Sequence, residues 1–317
     1  MKCSALLVGD GPVRALSVEE TRAYQGPGFV WIHIESCDEE ALAELIAEDV
    51  PDIAANALTA TETRPRCDRI EEGAILNLRG PAEIETEDSD RLVSIRMWVR
   101  RGRVHSVSRR ALSASHEVQA MMEGGSILDP GDLVAAFARA ISQELDPQVA
   151  ALGDGLDDCE SDLAPARVYK LRSAIARIRS EAIAYRRFVA PDRDALLTLA
   201  ALDFEWLEED DRLHIREAAD RFARMAEELE AVRERAALLH EQLTDLRSEL
   251  LESRALLVSI VALIFLPLTF ITGLFGMNVA DIPIAETRGA FWWITLFCVT
   301  VSVAIALGFA RKRWLER

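Results

Sequence analysis

The chain has 317 residues, half of them apolar, and a formal charge of −17. An acidic balance of that size disfavours nucleic acid as a partner and favours cations, and the length allows one or two domains with substantial cores. Five scattered cysteines (Cys3, Cys37, Cys67, Cys159 and Cys298) form no CxxC pair, which argues against a disulfide framework or zinc ribbon and fits reduced thiols in a cytoplasmic compartment.

Residues 1–130 read as an α+β cytoplasmic domain. The N-terminal run MKCSALLVGDG is too short in apolar residues for a signal peptide. Short β-prone runs occupy 5–8 and 29–34, Asp38 is a good N-cap for a helix through Leu45, and 74–78 predicts another strand. Residues 92–100 and 104–107, joined around Arg101-Gly102, predict a hairpin. The acidic run at 83–90 reads as a solvated loop.

Residues 131–254 turn helical. The spacing predicts helices over 132–144, 147–163, 165–189 and 191–202, with Pro147, Pro165 and Pro191 in first turns, where proline is tolerated. A very long helix follows from near Asp203. Ile215, Ala218, Phe222, Met225, Leu229, Val232, Ala236, Leu239, Leu243, Leu246 and Leu250 alternate three and four apart, an a/d seam. This predicts a long helical coiled stalk whose seam is buried between helices of an assembly. At 1.5 Å per residue, 215–275 would extend roughly 90 Å.

The stalk runs without a linker into the first of two charge-free stretches, 255–280 and 289–310. Each exceeds the roughly 20 residues that cross a bilayer as a helix. Between 255 and 310 the charges are Asp281, Glu286 and Arg288, which leaves −16 on the rest of the chain. The domain plan is therefore a transmembrane helix at 255–275, an external loop at 276–288, a second transmembrane helix at 289–310 and a basic tail at 311–317. Arg247 and Arg254 precede the first span, and Arg311, Lys312, Arg313 and Arg317 follow the second, so both termini are expected on the cytoplasmic side. Ala255, Ser259, Ala262, Leu266, Thr269 and Gly273 make a small, mildly polar stripe along the first span. Such a stripe suits close helix packing and a pore lining equally. Pro267 predicts a bend there. No ionisable group lies inside either span, which argues against a proton relay at the bilayer centre.

The first span ends in Pro267-Leu268-Thr269-Phe270-Ile271-Thr272-Gly273-Leu274-Phe275-Gly276-Met277-Asn278. This resembles the signature of the CorA superfamily of divalent-cation transporters, with its Gly-Met-Asn motif closing the first of two C-terminal spans. Val279-Ala280-Asp281-Ile282-Pro283 and Phe291-Trp292-Trp293 are more similar to the zinc-transporting branch, ZntB, although that branch often has two glycines where Ala280 and Asp281 stand here. Trp31-Ile32-His33, Leu78-Arg79-Gly80 and Ser94-Ile95-Arg96-Met97-Trp98 look like the same branch. The resemblance implies a homopentamer in the inner (plasma) membrane that moves Zn²⁺ through one pore, with Mg²⁺, cobalt or nickel as alternative cargo and no cofactor. It implies a selectivity filter at Gly276, Met277 and Asn278. It implies pore-facing positions at Val258, Ala262, Leu266, Thr269 and Gly273. Asp281 is expected to attract cations outside the mouth.

Zinc would suggest His and Cys ligands. His214 follows Asp210 by four residues and Asp211 by three, so the three are a candidate chelating patch on one helix face, against a plain acidic surface. His33, His105 and His116 read as single structural or exposed histidines. A membrane-tethered coiled-coil sensor or scaffold is the rival from another class, but it gives no reason for Gly276-Met277-Asn278. The sequence contains no GxSxG, P-loop, HExxH or Rossmann fingerprint, so an enzyme is not expected.

Overall fold

The computed structural model describes residues 2–9, 11–35, 50–61, 64–84, 91–164, 167–277 and 288–315. The helix expected from Asp38 to Leu45, most of the 83–90 loop and residues 278–287 lie outside them. The strands are β1 (Lys2–Val8), β2 (Arg14–Ala15), β3 (Phe29–Glu35), β4 (Arg66–Ile70), β5 (Gly73–Pro81), β6 (Leu92–Arg100) and β7 (Arg103–Ser108). They form one sheet in the order β2-β1-β3-β7-β6-β5-β4. Strands β4 to β7 make an antiparallel meander, and β3 joins it parallel to β7. The β6–β7 turn has just Arg101 and Gly102 between paired Arg100 and Arg103, and Gly102 supplies the positive φ of 71° that a tight hairpin needs.

Strands β5 and β6 are buried on both faces, which explains their nearly continuous apolar character. On one face, helix α2 (Asp52–Thr59) places Ala54 and Leu58 over Ile34, Ile75, Trp98 and Val107. Helix α1 (Val18–Ala23) is held by a Ser17–Glu20 capping box. Helices α3 (Ala114–Glu123) and α4 (Pro130–Ser161) follow the sheet. On the opposite face Phe137 of α4 meets Trp31 edge-on at 5.8 Å. Gly80 permits the close approach of α4, since a Cβ there would lie 2.9 Å from Ile141 Cγ1.

Among the described residues three more helices follow: α5 (Val168–Ala201), α6 (Glu209–Phe275) and α7 (Ala290–Leu315). The helices expected to start at Pro147 and Pro191 are not separate, because α4 and α5 run straight through these prolines. Each proline removes one amide from the ladder, at a cost of about 3 kcal/mol. Core residues on both sides offset that: Leu145 and Val149 flank Pro147, and Val189 and Ala195 flank Pro191, all buried. The long helix begins at Glu209 rather than near Asp203. Residues before it pack instead, with Phe204 stacked on Trp206 at 5.1 Å and Trp206 Nε1 donating to Glu72 O at 3.2 Å.

From Ile215 to Leu243 the seam of α6 is covered within one chain, whereas Leu246 and Leu250 are only half-buried. Ile215, Phe222, Met225, Leu229, Val232, Ala236 and Leu239 are each no more than 4% exposed. Polar bridges tie α6 to its neighbours beside the seam: Arg235 reaches Asp157 and Glu160 of α4 at 2.6 and 2.8 Å, and Arg186 of α5 meets Glu230 at 2.9 Å. This part of the seam is therefore already buried within one chain, beside α4 and α5. The chain divides into two compact units. One comprises Met1–Leu163 with Tyr169–His240, and the other Ala164–Val168 with Glu241–Arg317.

Candidate functional site

Among the described residues two helices are long and apolar enough to cross a membrane. The apolar part of α6 has a mean hydropathy of 2.6 with none of it buried, and residues Ala290–Gly308 of α7 reach 2.2. At about 100° per residue, Val258, Ala262, Leu266, Thr269 and Gly273 fall within about 80° of the helix circumference. Val258 and Leu266 are 69% and 74% exposed, so both present bare apolar surface to lipid or to other protein.

The hydroxyls of this segment are oriented by the helix itself. Ser259 Oγ donates to Ala255 O at 2.9 Å, Thr269 Oγ1 to Phe265 O at 2.7 Å and Thr272 Oγ1 to Leu268 O at 2.9 Å. With each proton committed to a carbonyl, the oxygen lone pairs remain as acceptors for a cation or for its water. Pro267 lies inside the helix and supplies no amide to Leu263 O. The helix ends at Phe275 and is closed by a tightened turn. Gly276 N donates to Thr272 O at 2.9 Å and to Gly273 O at 3.2 Å. Met277 is half exposed. Asn278 and Asp281 lie outside the described residues.

Asp210, Asp211 and His214 do not converge. His214 Nδ1 lies 3.7 Å from Asp210 Oδ2 on an exposed face. Asp211 points elsewhere, is 2% exposed, and joins Asp129 and Asp132, with ligand oxygens all within 4.8 Å of one another. Consecutive helix residues differ by about 100°, which is why Asp210 and Asp211 part company. The cluster is built from helix starts. Asp129 caps α4 by accepting from Gly131 N at 2.7 Å and Asp132 N at 2.9 Å. Asp132 accepts from Leu128 N at 2.9 Å, and Asp211 accepts from Glu208 N at 2.8 Å. Burial, and then the neighbouring Asp129 carboxylate, push the Asp211 carboxyl up to about 7. An all-oxygen set of this kind could hold a hard cation such as Mg²⁺ more readily than zinc. Its sequence signal was the Asp-Pro-Gly-Asp start of α4; its link to Asp211 is purely tertiary.

His33 and His116 occupy different settings. His33 is pushed down to about 4 by burial. Ser106 Oγ accepts from Trp31 Nε1 at 2.8 Å and lies 2.8 Å from His33 Nδ1, a contact that suits a neutral ring accepting the hydroxyl proton. His116 is exposed and sits 3.0 Å from Glu83.

The sequence profile of the CorA-like Mg²⁺ transporter proteins matches residues 26–312. The chain belongs to the CorA family. Among relatives of this CorA-family chain, the zinc transport protein ZntB of Pectobacterium atrosepticum is 30% identical over 98% of the chain and 94% of its own length. ZntB of Klebsiella pneumoniae is also 30% identical, over the same shares. Full-length CmaX superposes with a TM-score of 0.76 at 28% identity, covering 99% of this chain and 98% of CmaX. The CorA magnesium transporter of Methanocaldococcus jannaschii gives 0.80 at 15% identity, covering 98% of each chain. The cytoplasmic domain of ZntB from Vibrio parahaemolyticus gives 0.63 at 18% identity, covering 78% of this chain and 98% of that one. At those low identities the last two speak for the fold alone: the full-length neighbour for an α+β part, a long helix and two C-terminal apolar helices, the cytoplasmic-domain neighbour for the part before the apolar helices.

Proposed function

We propose that this CorA-family chain transports a divalent metal cation, zinc by preference, across the inner (plasma) membrane through a homopentameric pore. The carrying observation is the end of α6, where an apolar helix with back-bonded hydroxyls closes in a glycine turn at the Gly-Met-Asn motif. In this reading Gly276, Met277 and Asn278 form the filter, and Val258, Ala262, Leu266, Thr269 and Gly273 line the path. A ring of neutral Asn278 carboxamides would hold a hydrated dication by hydrogen bonds without trapping it. Leu266 and Val258 rings would gate by dewetting. Asp281 adds charge outside the mouth, both termini are cytoplasmic, and residues 276–288 form the external loop. The identity to ZntB relatives supports zinc as the cargo.

The test is uptake into liposomes holding the purified protein, with Zn²⁺ and Mg²⁺ measured side by side. Zn²⁺ flux is expected, and it should be abolished or greatly reduced in a correctly assembled Asn278→Ala protein. Undiminished flux in that variant would sink the filter assignment. Mg²⁺ flux without Zn²⁺ flux would overturn the cargo and leave the transporter reading intact.

A further inference from the structure

The α4–α5 hairpin divides its charge by helix. Residues 146–162 hold six carboxylates and no lysine or arginine, and residues 167–187 hold seven lysines and arginines against one carboxylate, Glu181. Part of this charge is paired within the chain, and two rows keep a surplus. On α4, Asp157 and Glu160 share the single guanidinium of Arg235 and stay 61% and 53% exposed. Asp154 is exposed and makes no ion pair among the described residues. At about 100° per residue these three lie within about 120° of the helix circumference. On α5, Arg172 and Arg179 are exposed and make no ion pair among the described residues. They stand seven residues apart and so share a face, and half-exposed Ile183 lies about 40° from Arg179.

The two rows border α6 on opposite flanks. Glu230 of α6 meets α5 at Arg186, Arg235 meets α4 at Asp157, and the two positions are about 140° apart around α6. Arg186, Arg179 and Arg172 continue one line along α5, so the basic row follows the Glu230 side. Asp157 and Glu160 follow the Arg235 side. The rows also share a height. Helix α5 runs antiparallel to α6, since Arg212 near the start of α6 donates to Ala200 O near the end of α5 at 3.0 Å. Arg179 lies about 10.5 Å along α5 from Arg186, and Arg235 about 7.5 Å along α6 from Glu230. Their levels therefore differ by about 3 Å, within reach of a long side chain.

Opposite charges on opposite flanks of one chain cannot meet each other, but they can meet their counterparts on a second copy. A two-fold pairing would set like row against like row and repel. A head-to-tail pairing sets acid against base, and the same contact repeats until a ring closes. We propose that the acidic row of α4 docks against the basic row of α5 on a second copy of this chain, head to tail around the assembly. This contact rests on the homo-oligomeric reading above and not on the identity of the cargo. All its residues belong to the first compact unit.

The test uses the full chain in detergent, with the five native cysteines replaced by alanine or serine and with Ser161→Cys and Ile183→Cys added. These two positions sit beside the rows and leave every charge in place. A short bismaleimide, too short to join opposite flanks of one chain, should give a ladder of covalent products from dimer upward. Either cysteine alone should give none. Adding Arg172→Glu with Arg179→Glu should slow cross-linking about tenfold or more, and Arg172→Gln with Arg179→Gln should slow it less, at unchanged Tm. About 1 M salt should slow the parent toward the reversed variant, because the screening length falls to about 3 Å. The mass of each untreated sample is measured alongside. An oligomeric mass with no ladder overturns the contact and leaves the assembly standing, whereas a monomeric mass overturns both. Products from a single cysteine mean that like rows face each other, and a ladder indifferent to charge reversal and salt means that charge does not hold the contact; each overturns the proposal. Loss of bound phosphatidylglycerol on reversal of Arg172 and Arg179, with no ladder in the parent, would assign the basic row to the membrane surface and overturn it too.

Discussion

Replacing Asp211 with asparagine should stabilise the protein at neutral and alkaline pH and leave it unchanged in acid. The carboxyl ionises near 3.8 when unperturbed and about 7 in the folded chain. Below about 4 it is protonated in both states. Between about 4 and 7 the unfolded chain gives up its proton while the native one keeps it, so native stability falls as pH rises. Above about 7 the penalty is complete. At about 1.4 kcal/mol per pH unit the displacement would cost about 4 kcal/mol, and water beside the half-buried Asp129 and Asp132 reduces this to about 2 kcal/mol. Asparagine removes the charge and keeps an oxygen for the Glu208 amide. Thermal unfolding followed by tryptophan fluorescence, in chelator across pH 4–8, should show matching Tm values in acid. At pH 8 the variant should lead by about 4–8 °C. A gap of the same size at both ends, or a less stable variant at pH 8, would refute a charge-based cost.

Two further outcomes follow from packing and burial. Leu229→Ala, at a fully buried seam position, should cost about 2–5 kcal/mol by thermal unfolding, whereas Leu256→Ala, half exposed on the apolar part of α6, should change little. If Leu229→Ala altered the mass of the assembly and not Tm, the seam would belong between subunits after all. His33, held down at about 4 from an ordinary 6.5, contributes stability that is whole above 6.5 and lost as pH falls toward 4. His33→Gln should therefore flatten the acid limb of the Tm–pH curve, and parallel curves for the two proteins would count against this account.

Local pattern carried the features that depend on neighbours in sequence. The charge-free stretches marked both apolar helices, and Arg101-Gly102 between alternating runs marked the β6–β7 hairpin. Strand β4 escaped notice because Arg66-Cys67-Asp68-Arg69-Ile70 is a polar edge strand with little alternation. Pro147 and Pro191 misled for the opposite reason: the proline rule is local, and the core packed on both sides of each residue is not. The a/d spacing of α6 announced burial correctly but could not say what does the burying. Likewise Asp211 was grouped with Asp210 and His214 by spacing along one helix. Its real companions, Asp129 and Asp132, lie on another element and meet it through tertiary packing.

The self-contained seam of α6 bears on how such a protein is made. From Ile215 to Leu243 a newly synthesised chain leaves no greasy stripe bare on this helix. If copies assemble as proposed, this segment can finish folding within each chain before any encounter, leaving the encounter to cover the bare apolar part of the helix.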